Sequence, residues 1–182
     1  EGISFQPKPS LLTNEIPADV SGWWVSEKYD GVRAIWTGEK LLSRNGKDLK
    51  APASFTEGLP KDVRLDGELW MGRKTFDRLV SVIQTSDWYG VAYMVFDLAE
   101  SSLKFESRMV KLYDQSFPPH VKVVGNQMLR DHSQLDRIER QIVRAGGEGC
   151  VIRRPGSLYR PGRVGDVIKV KRLVADVDRW QG

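Results

Sequence analysis

The sequence predicts an α+β fold made mainly of antiparallel sheet with flanking helices. Three observations point there. Turn signals are dense, with Asp30-Gly31, "TGEK" at 37–40 and "RNGKD" at 44–48 each separating short apolar runs. Seventeen glycines and nine prolines in 182 residues, with 40% apolar residues, fit a globular chain of many short strands. Two stretches carry the apolar spacing of an amphipathic helix, one at i, i+3, i+4, i+7 and the other at i, i+3, i+7, i+8.

Residues 1–21 hold Pro7, Pro9 and Pro17 and little periodicity, so they read as an extended N-terminal arm. Trp23–Ser26 and Val32–Trp36 read as strands of a hairpin bent at Asp30-Gly31, and "TGEK" turns the chain into a third strand, Leu41–Arg44. In "VRLDGELW" (63–70) alternation puts Val63, Leu65 and Leu69 on one face and Asp66, Glu68 and Trp70 on the other. Thr75 is placed to cap a helix with the stripe Phe76, Leu79, Val80 and Ile83. "VAYMVFDLA" (91–99) is nearly all apolar and reads as a buried strand, charged at Asp97. A second helix is expected from Ser133, with the stripe Leu135, Ile138, Ile142 and Val143, stopped by Gly146. Strands around "GCVIRR" and "VIKVKR" complete the main domain, 22–172. In the last strand Lys169 and Lys171 face the same way, and 173–182 is a tail or linker stub.

Composition excludes several classes. A single cysteine, Cys150, leaves no intrachain disulfide framework and no cysteine zinc site. The charge balance is 28 basic against 24 acidic residues, net +4, compatible with an anionic partner without identifying one. Much of the basic charge is late: Arg153, Arg154, Arg160, Arg163, Lys169, Lys171 and Arg172. No apolar run approaches a membrane span. Neither a G-x-x-x-x-G-K-[ST] phosphate loop nor a G-x-G-x-x-G turn is present. His120 and His132 read as ordinary surface residues, and no nucleophile elbow supports a serine hydrolase. The chain opens at Glu1 without Met and reads as mature or trimmed.

Four polar groupings fall at strand ends or on strand faces: Lys28-x-Asp30-Gly31-x-Arg33, Asp66-Gly67-Glu68, Glu148-Gly149 and Lys169-x-Lys171. Strands aim side chains rigidly, so such groupings can converge on one ligand. Cations around a lysine disfavour its ammonium form and ready it as a nucleophile, and Arg33, Arg44, Lys169 and Lys171 are the candidates to do so for Lys28. The same cations suit a phosphate-bearing substrate, and carboxylates at 68 and 148 suit Mg²⁺ or a ribose hydroxyl. Taken singly, each grouping is as common in plain turns and exposed strands.

Their joint order resembles the covalent nucleotidyltransferase superfamily of ATP-dependent DNA ligases, RNA ligases and mRNA capping enzymes. "KYDGVR" resembles its first motif, with Lys28 at the lysine that becomes AMP-modified. "SRNG" (43–46) is similar to the segment that supplies a phosphate-binding arginine, Arg44. "LDGEL" resembles the third motif through Glu68, on the ribose, and "MVFDL" the segment whose aromatic, Phe96, stacks on adenine. "EGCVIR" resembles the fourth, with Glu148 near ribose and metal, and "IKVK" the fifth, with Lys169 and Lys171 on the α-phosphate. The likeness covers about residues 11–172. "VSGWWVSEKYDGVRAIW" and "RRPGSLYRPGR" are most similar to the minimal bacterial DNA ligases of the Lig E type.

The resemblance implies an ATP-grasp-like nucleotidyltransferase domain that forms a lysyl-AMP on Lys28 and passes AMP to the 5′-phosphate of nicked double-stranded DNA. Glu27, Arg33, Arg44, Glu68, Phe96, Glu148, Lys169 and Lys171 are the implied ATP-binding residues. Glu68 and Glu148 are the implied ligands of Mg²⁺ or Mn²⁺. Ligases normally continue past the fifth motif into an OB-fold domain. That domain is absent from these 182 residues and is expected in the full-length protein. The Lig E likeness also implies a monomer exported to the periplasm, with the cytoplasm as the alternative. An RNA ligase-type nucleotidyltransferase, or a nucleotide- or nick-binding module that no longer seals, are the competing readings.

Overall fold

The computed structural model describes residues 5–7, 15–100, 102–160, 162 and 165–175. In chain order their strands are β1 (Phe5–Pro7), β2 (Trp24–Glu27), β3 (Val32–Trp36), β4 (Leu41–Leu42), β5 (Leu65–Trp70), β6 (Ala92–Leu98), β7 (Val121–Val123), β8 (Gln127–Met128), β9 (Cys150–Arg153), β10 (Val167–Val170) and β11 (Leu173–Ala175). The helices are α1 (Ala53–Thr56), α2 (Phe76–Ile83), α3 (Phe105–Tyr113) and α4 (His132–Arg144). They divide into two units: one of Glu1–Tyr29, Asn126–Ser157 and Pro161–Gly182, the other of Asp30–Gly125 and Leu158–Arg160.

The first unit is built on the sheet β10-β9-β2-β8, antiparallel throughout, and also holds the separate antiparallel pair β1-β11. Its core gathers Val20, Trp23, Val25, Leu129, Leu135, Cys150, Ile152, Ile168 and Val170, all buried. α4 supplies Leu135 to this core, with Ile138 and Ile142 packed against it, as the apolar spacing predicts. The cap lies two residues before the predicted Ser133. Asp131, in extended backbone, accepts a hydrogen bond at Oδ1 from Gln134 N at 2.8 Å, so it is the N-cap and Ser133 lies inside the helix. Gly146, at φ 99°, follows the helix end.

The second unit holds the sheet β4-β3-β5-β6-β7, in which β7 runs parallel to β6. β3 and β4 form the hairpin expected at "TGEK". β4 ends at Leu42 rather than Arg44, because Ser43 N already donates to Lys47 O in the "RNGKD" turn. Between β5 and β6 the register shifts: Asp66 faces Asp97 but Gly67 faces Val95. Phe96 is the extra residue of this bulge and stands half-buried between buried Val95 and Asp97. "LDGEL" is therefore strand interior. A Cβ on Gly67 would meet Met94 O at 2.5 Å and Tyr93 Cε1 at 2.8 Å, which is why glycine stands there.

One expectation is overturned outright. β2 and β3 are not a hairpin, since β2 pairs with β8 and β9 and β3 pairs with β4 and β5. Asp30-Gly31 joins two sheets instead of bending one. α2 forms as predicted, but only Leu79 of its stripe is buried, and Thr75 donates from Oγ1 to Gly72 O instead of capping. The two histidines each tie a loop to a helix. His120 Nε2 lies 2.7 Å from Phe55 O, and His132 Nε2 lies 2.8 Å from Pro17 O.

Candidate active site

The first unit fixes Lys28 just beyond the end of β2, where Lys28 N donates to Gly149 O at 2.9 Å. That backbone bond sets the side chain beside its neighbour in the "EG" pair. Lys28 Nζ donates to Glu148 Oε2 at 2.6 Å, and Lys171 Nζ donates to the other oxygen, Oε1, at 2.9 Å. One carboxylate thus holds two ammonium groups. Burial by itself would raise the Glu148 carboxyl, but hydrogen bonds from Lys28 and Lys171, reinforced by their charges, hold it below its usual range. The motifs predict a cationic neighbourhood for Lys28; in this unit a carboxylate lies between it and Lys171. Glu27 closes β2 opposite Cys150, and Lys169 sits exposed on β10 opposite Val151.

The backbone just past Lys171 is anchored to α4. Fully buried Glu139 of that helix accepts from Arg172 N at 2.8 Å, Leu173 N at 3.0 Å and Arg172 Nε at 3.2 Å. Asp136 accepts from Arg172 Nη2 at 2.5 Å. These bonds leave Lys171 at the end of a fixed stem, which aims its ammonium at Glu148.

In the second unit Arg33 and Glu68 face each other across β3 and β5. The guanidinium of Arg33 is held by its neighbour instead: Nε and Nη2 donate to the two oxygens of Asp66 at 3.0 and 2.6 Å. This fork raises Arg33 further above its ordinary value, against the opposing effect of burial. Asp66 is fully buried, and Tyr159 also donates to its Oδ2, at 2.7 Å. Arg33 Cζ lies 5.8 Å from the centre of the Phe96 ring. Glu68 Oε2 accepts from Gly31 N at 3.2 Å. A Cβ on residue 31 would stand 1.9 Å from Leu69 O, so glycine is required for close approach to β5. Arg44 lies exposed on its turn.

Tyr159 is the functional candidate that sequence reasoning missed, and Asp66, placed there in the Asp66-Gly67-Glu68 grouping, is given no role of its own. Asp66 is legible as one of a polar pair on β5, but nothing in the spacing tells which carboxylate takes Arg33. Among the described residues, no three His, Cys, Asp or Glu side chains gather to hold a metal ion.

Comparison with known proteins decides the family. The family model of the ATP dependent DNA ligase domain matches residues 13–171. The chain belongs to this family. A DNA ligase of Haemophilus influenzae is 29% identical over 158 residues, which are 84% of this chain and 59% of that protein. A solved structure from a structure-function study of Lig E DNA ligases is 36% identical with TM-score 0.78, covering 85% of this chain and 63% of its own. The adenylate form of Chlorella virus DNA ligase is 25% identical with TM-score 0.67, covering 82% of this chain and 61% of its own. The α+β nucleotidyltransferase architecture expected from the motifs is the one these ligases share. The chain spans less than two thirds of the length of each of these three relatives. No helix among the described residues is long and apolar enough to cross a membrane.

Proposed function

We propose that this ligase-family chain is an adenylation core that loads AMP onto Lys28 and delivers it to the 5′-phosphate of nicked DNA. The observation that carries the reading is the meeting of Lys28 and Lys171 on the single carboxylate of Glu148, at 2.6 and 2.9 Å. It joins residues of the first, fourth and fifth motifs, 143 positions apart at the extremes (171 − 28), for which a plain turn or an exposed strand gives no reason.

The chemistry proceeds from that arrangement. Lys28 attacks the α-phosphorus of ATP with its amine lone pair, the bond to the bridging oxygen breaks, and pyrophosphate leaves. The proton on Nζ points at Glu148 Oε2, which is the acceptor through which it departs. Lys171 supplies positive charge to the non-bridging oxygens as negative charge builds on them, and Lys169 is assigned beside it. In the second half-reaction the 5′-phosphate displaces Lys28 from phosphorus, and the nick 3′-hydroxyl then expels AMP. Phe96 takes the adenine and Glu68 the ribose. Glu27 completes the nucleotide set, and Arg33 and Arg44 take phosphates as bidentate donors.

The donor chemistry fits a hard divalent cation. The two lysines hold the Glu148 carboxyl below its usual range and so ionised at neutral pH, and one or two carboxylates are all that Mg²⁺ takes from a protein when phosphate oxygens complete its shell. Glu148 and Glu68 would hold Mg²⁺ or Mn²⁺, which when bound neutralises charge on the leaving pyrophosphate.

The likeness to Lig E ligases supports nicked double-stranded DNA as the partner, action as a monomer, and a periplasmic location. DNA contacts fall mainly on phosphates and are salt-sensitive, because joining breaks cannot depend on sequence. The adenylation core spans 22–172, and an OB-fold domain in the full-length protein supplies closure on ATP. The test is the intact mass after incubation with ATP and Mg²⁺. An AMP adduct that Lys28→Ala abolishes supports the reading; no adduct at any pH or protein concentration sinks it. Sealing of nicked DNA against nicked RNA then separates the two ligase classes.

A further inference from the structure

Tyr159 lies outside every motif that carries the family likeness, in "SLYRPGR" between the fourth and fifth. It belongs to the three-residue stretch Leu158–Arg160 that clusters with the second unit, where Leu158 bridges to Lys104. Its hydroxyl donates to Asp66 Oδ2 at 2.7 Å, the oxygen that also receives Arg33 Nη2 at 2.6 Å. The guanidinium carbon of Arg108, itself buried on Asp97, stands over its ring at 5.9 Å from the centre.

We infer that Tyr159 is a positioning residue that fixes the phosphate-reading edge of Arg33 through Asp66. This rests on the assignment of Arg33 to a phosphate in the proposed function. A guanidinium has five N–H donors in one plane. Asp66 occupies the Nε–Nη2 edge, and the plane of its carboxylate, with Tyr159 beside it, dictates the direction in which the guanidinium meets an anion. A carboxylate on a strand can still rotate about its own χ2, a broad torsion. The second donor on Oδ2, from Tyr159, removes that freedom, and the ring is in turn seated under Arg108. The anion addressed is the 5′-phosphate of the nick, because that group must be aligned for in-line attack and tolerates least angular error.

The experiment titrates the whole chain with nicked duplexes bearing either a 5′-phosphate or a 5′-hydroxyl, comparing the unmodified protein, Tyr159→Phe, Arg33→Lys and the double variant. Phenylalanine keeps the ring and removes one donor from the buried Asp66 carboxylate, so the thermal midpoint should fall by about 3–12 °C, and the titrations are run well below it, where both proteins are folded. Tyr159→Phe is expected to reduce the preference for the phosphorylated nick about three- to ten-fold, the scale of one hydrogen bond to a charged group acting at second hand. Affinity for the 5′-hydroxyl nick should hold. In the Arg33→Lys background the same change should do nothing further, since a coupled pair is not additive. Unchanged preference in Tyr159→Phe, an equal loss for both nicks, or additivity with Arg33→Lys overturns the role. An unmodified protein that forms no AMP adduct overturns the functional reading and this inference with it. An adduct accompanied by unchanged preference overturns only Tyr159.

Discussion

Replacing Arg108 by methionine isolates the buried ion pair on which the Phe96 strand rests. Asp97 is fully buried and its Oδ1 accepts from Arg108 Nε at 2.7 Å and from Leu98 N at 2.8 Å, while Arg108 Nη1 also donates to Leu103 O at 2.6 Å. The Arg108 side chain is 2% exposed, so water cannot replace what the substitution removes. Methionine fills most of the stem volume but takes the guanidinium away from the carboxylate. The cost of breaking such a pair from one side is about 3–5 kcal/mol. Against a total stability of about 5–15 kcal/mol that is a large share. At about 2–4 °C per kcal/mol for a chain of this size, the midpoint should fall by about 6–20 °C. The assay is urea unfolding read by far-UV circular dichroism and tryptophan fluorescence together, with a thermal melt beside it. The control is Asp97→Asn with Arg108→Met, which removes the stranded charge and should recover about half of the loss or more, since a buried pair is worth little against neutral replacements. A single variant that loses less than about 1 kcal/mol, or a double variant no better than the single, would refute the burial argument.

Three further outcomes concern the site and its surroundings. Gly31→Ala puts a Cβ 1.9 Å from Leu69 O and should cost about 1–3 kcal/mol while freeing Glu68 from Gly31 N, seen as lower stability and a slower AMP adduct. Glu148 titrates below its ordinary value of 4.5, so its bonds to the two lysines stabilise the fold above that pH and are lost as pH falls through the lowered value. The stability gap between the unmodified protein and Glu148→Gln should therefore be open at pH 7 and close in acid; a gap that widens in acid contradicts the pairing. Cys150 is fully buried and its thiol is pushed up to about 12 by burial, so a disulfide reagent at pH 8 should label it only after denaturation.

Helix α3 marks where the sequence stops being legible. Its buried residues, Phe105, Arg108, Met109 and Leu112, have the i, i+3, i+4, i+7 spacing of a core-facing stripe, but the second position is an arginine. Apolar periodicity cannot register a charge that enters the core, and the partner that permits it, Asp97, lies in another element. The same limit hides the Arg33–Asp66–Tyr159 network, in which Asp66 is 33 residues from Arg33 and 93 from Tyr159 along the chain. α4 is legible because Leu135, Ile138, Ile142 and Val143 form an aliphatic stripe even though Gln134 and Glu139 are buried beside it, and only its cap is misplaced, Ser133 standing two residues late. The motif order is legible for a different reason: four short groupings, each ambiguous alone, match one family together.

The stretch Lys28–Arg33 explains that order in physical terms. An Asp-Gly pair between apolar runs is a hairpin signal, yet Gly31 is not among the glycines of positive φ, and the strands on either side belong to different sheets. The near end of the stretch is tied by Lys28 N to Gly149 O, within the fourth motif, and Gly31 N is tied to Glu68, within the third. Only Tyr29 and Asp30 separate those two anchors. Gly31 is pressed against β5 and tolerates no side chain there. The pair is therefore a connection between sheets, and its likeness to a turn is incidental. Lys28 and Gly31 each bond within their own unit, one to the fourth motif and one to the third, which is why K-x-D-G-x-R carries more information than its two turn residues do.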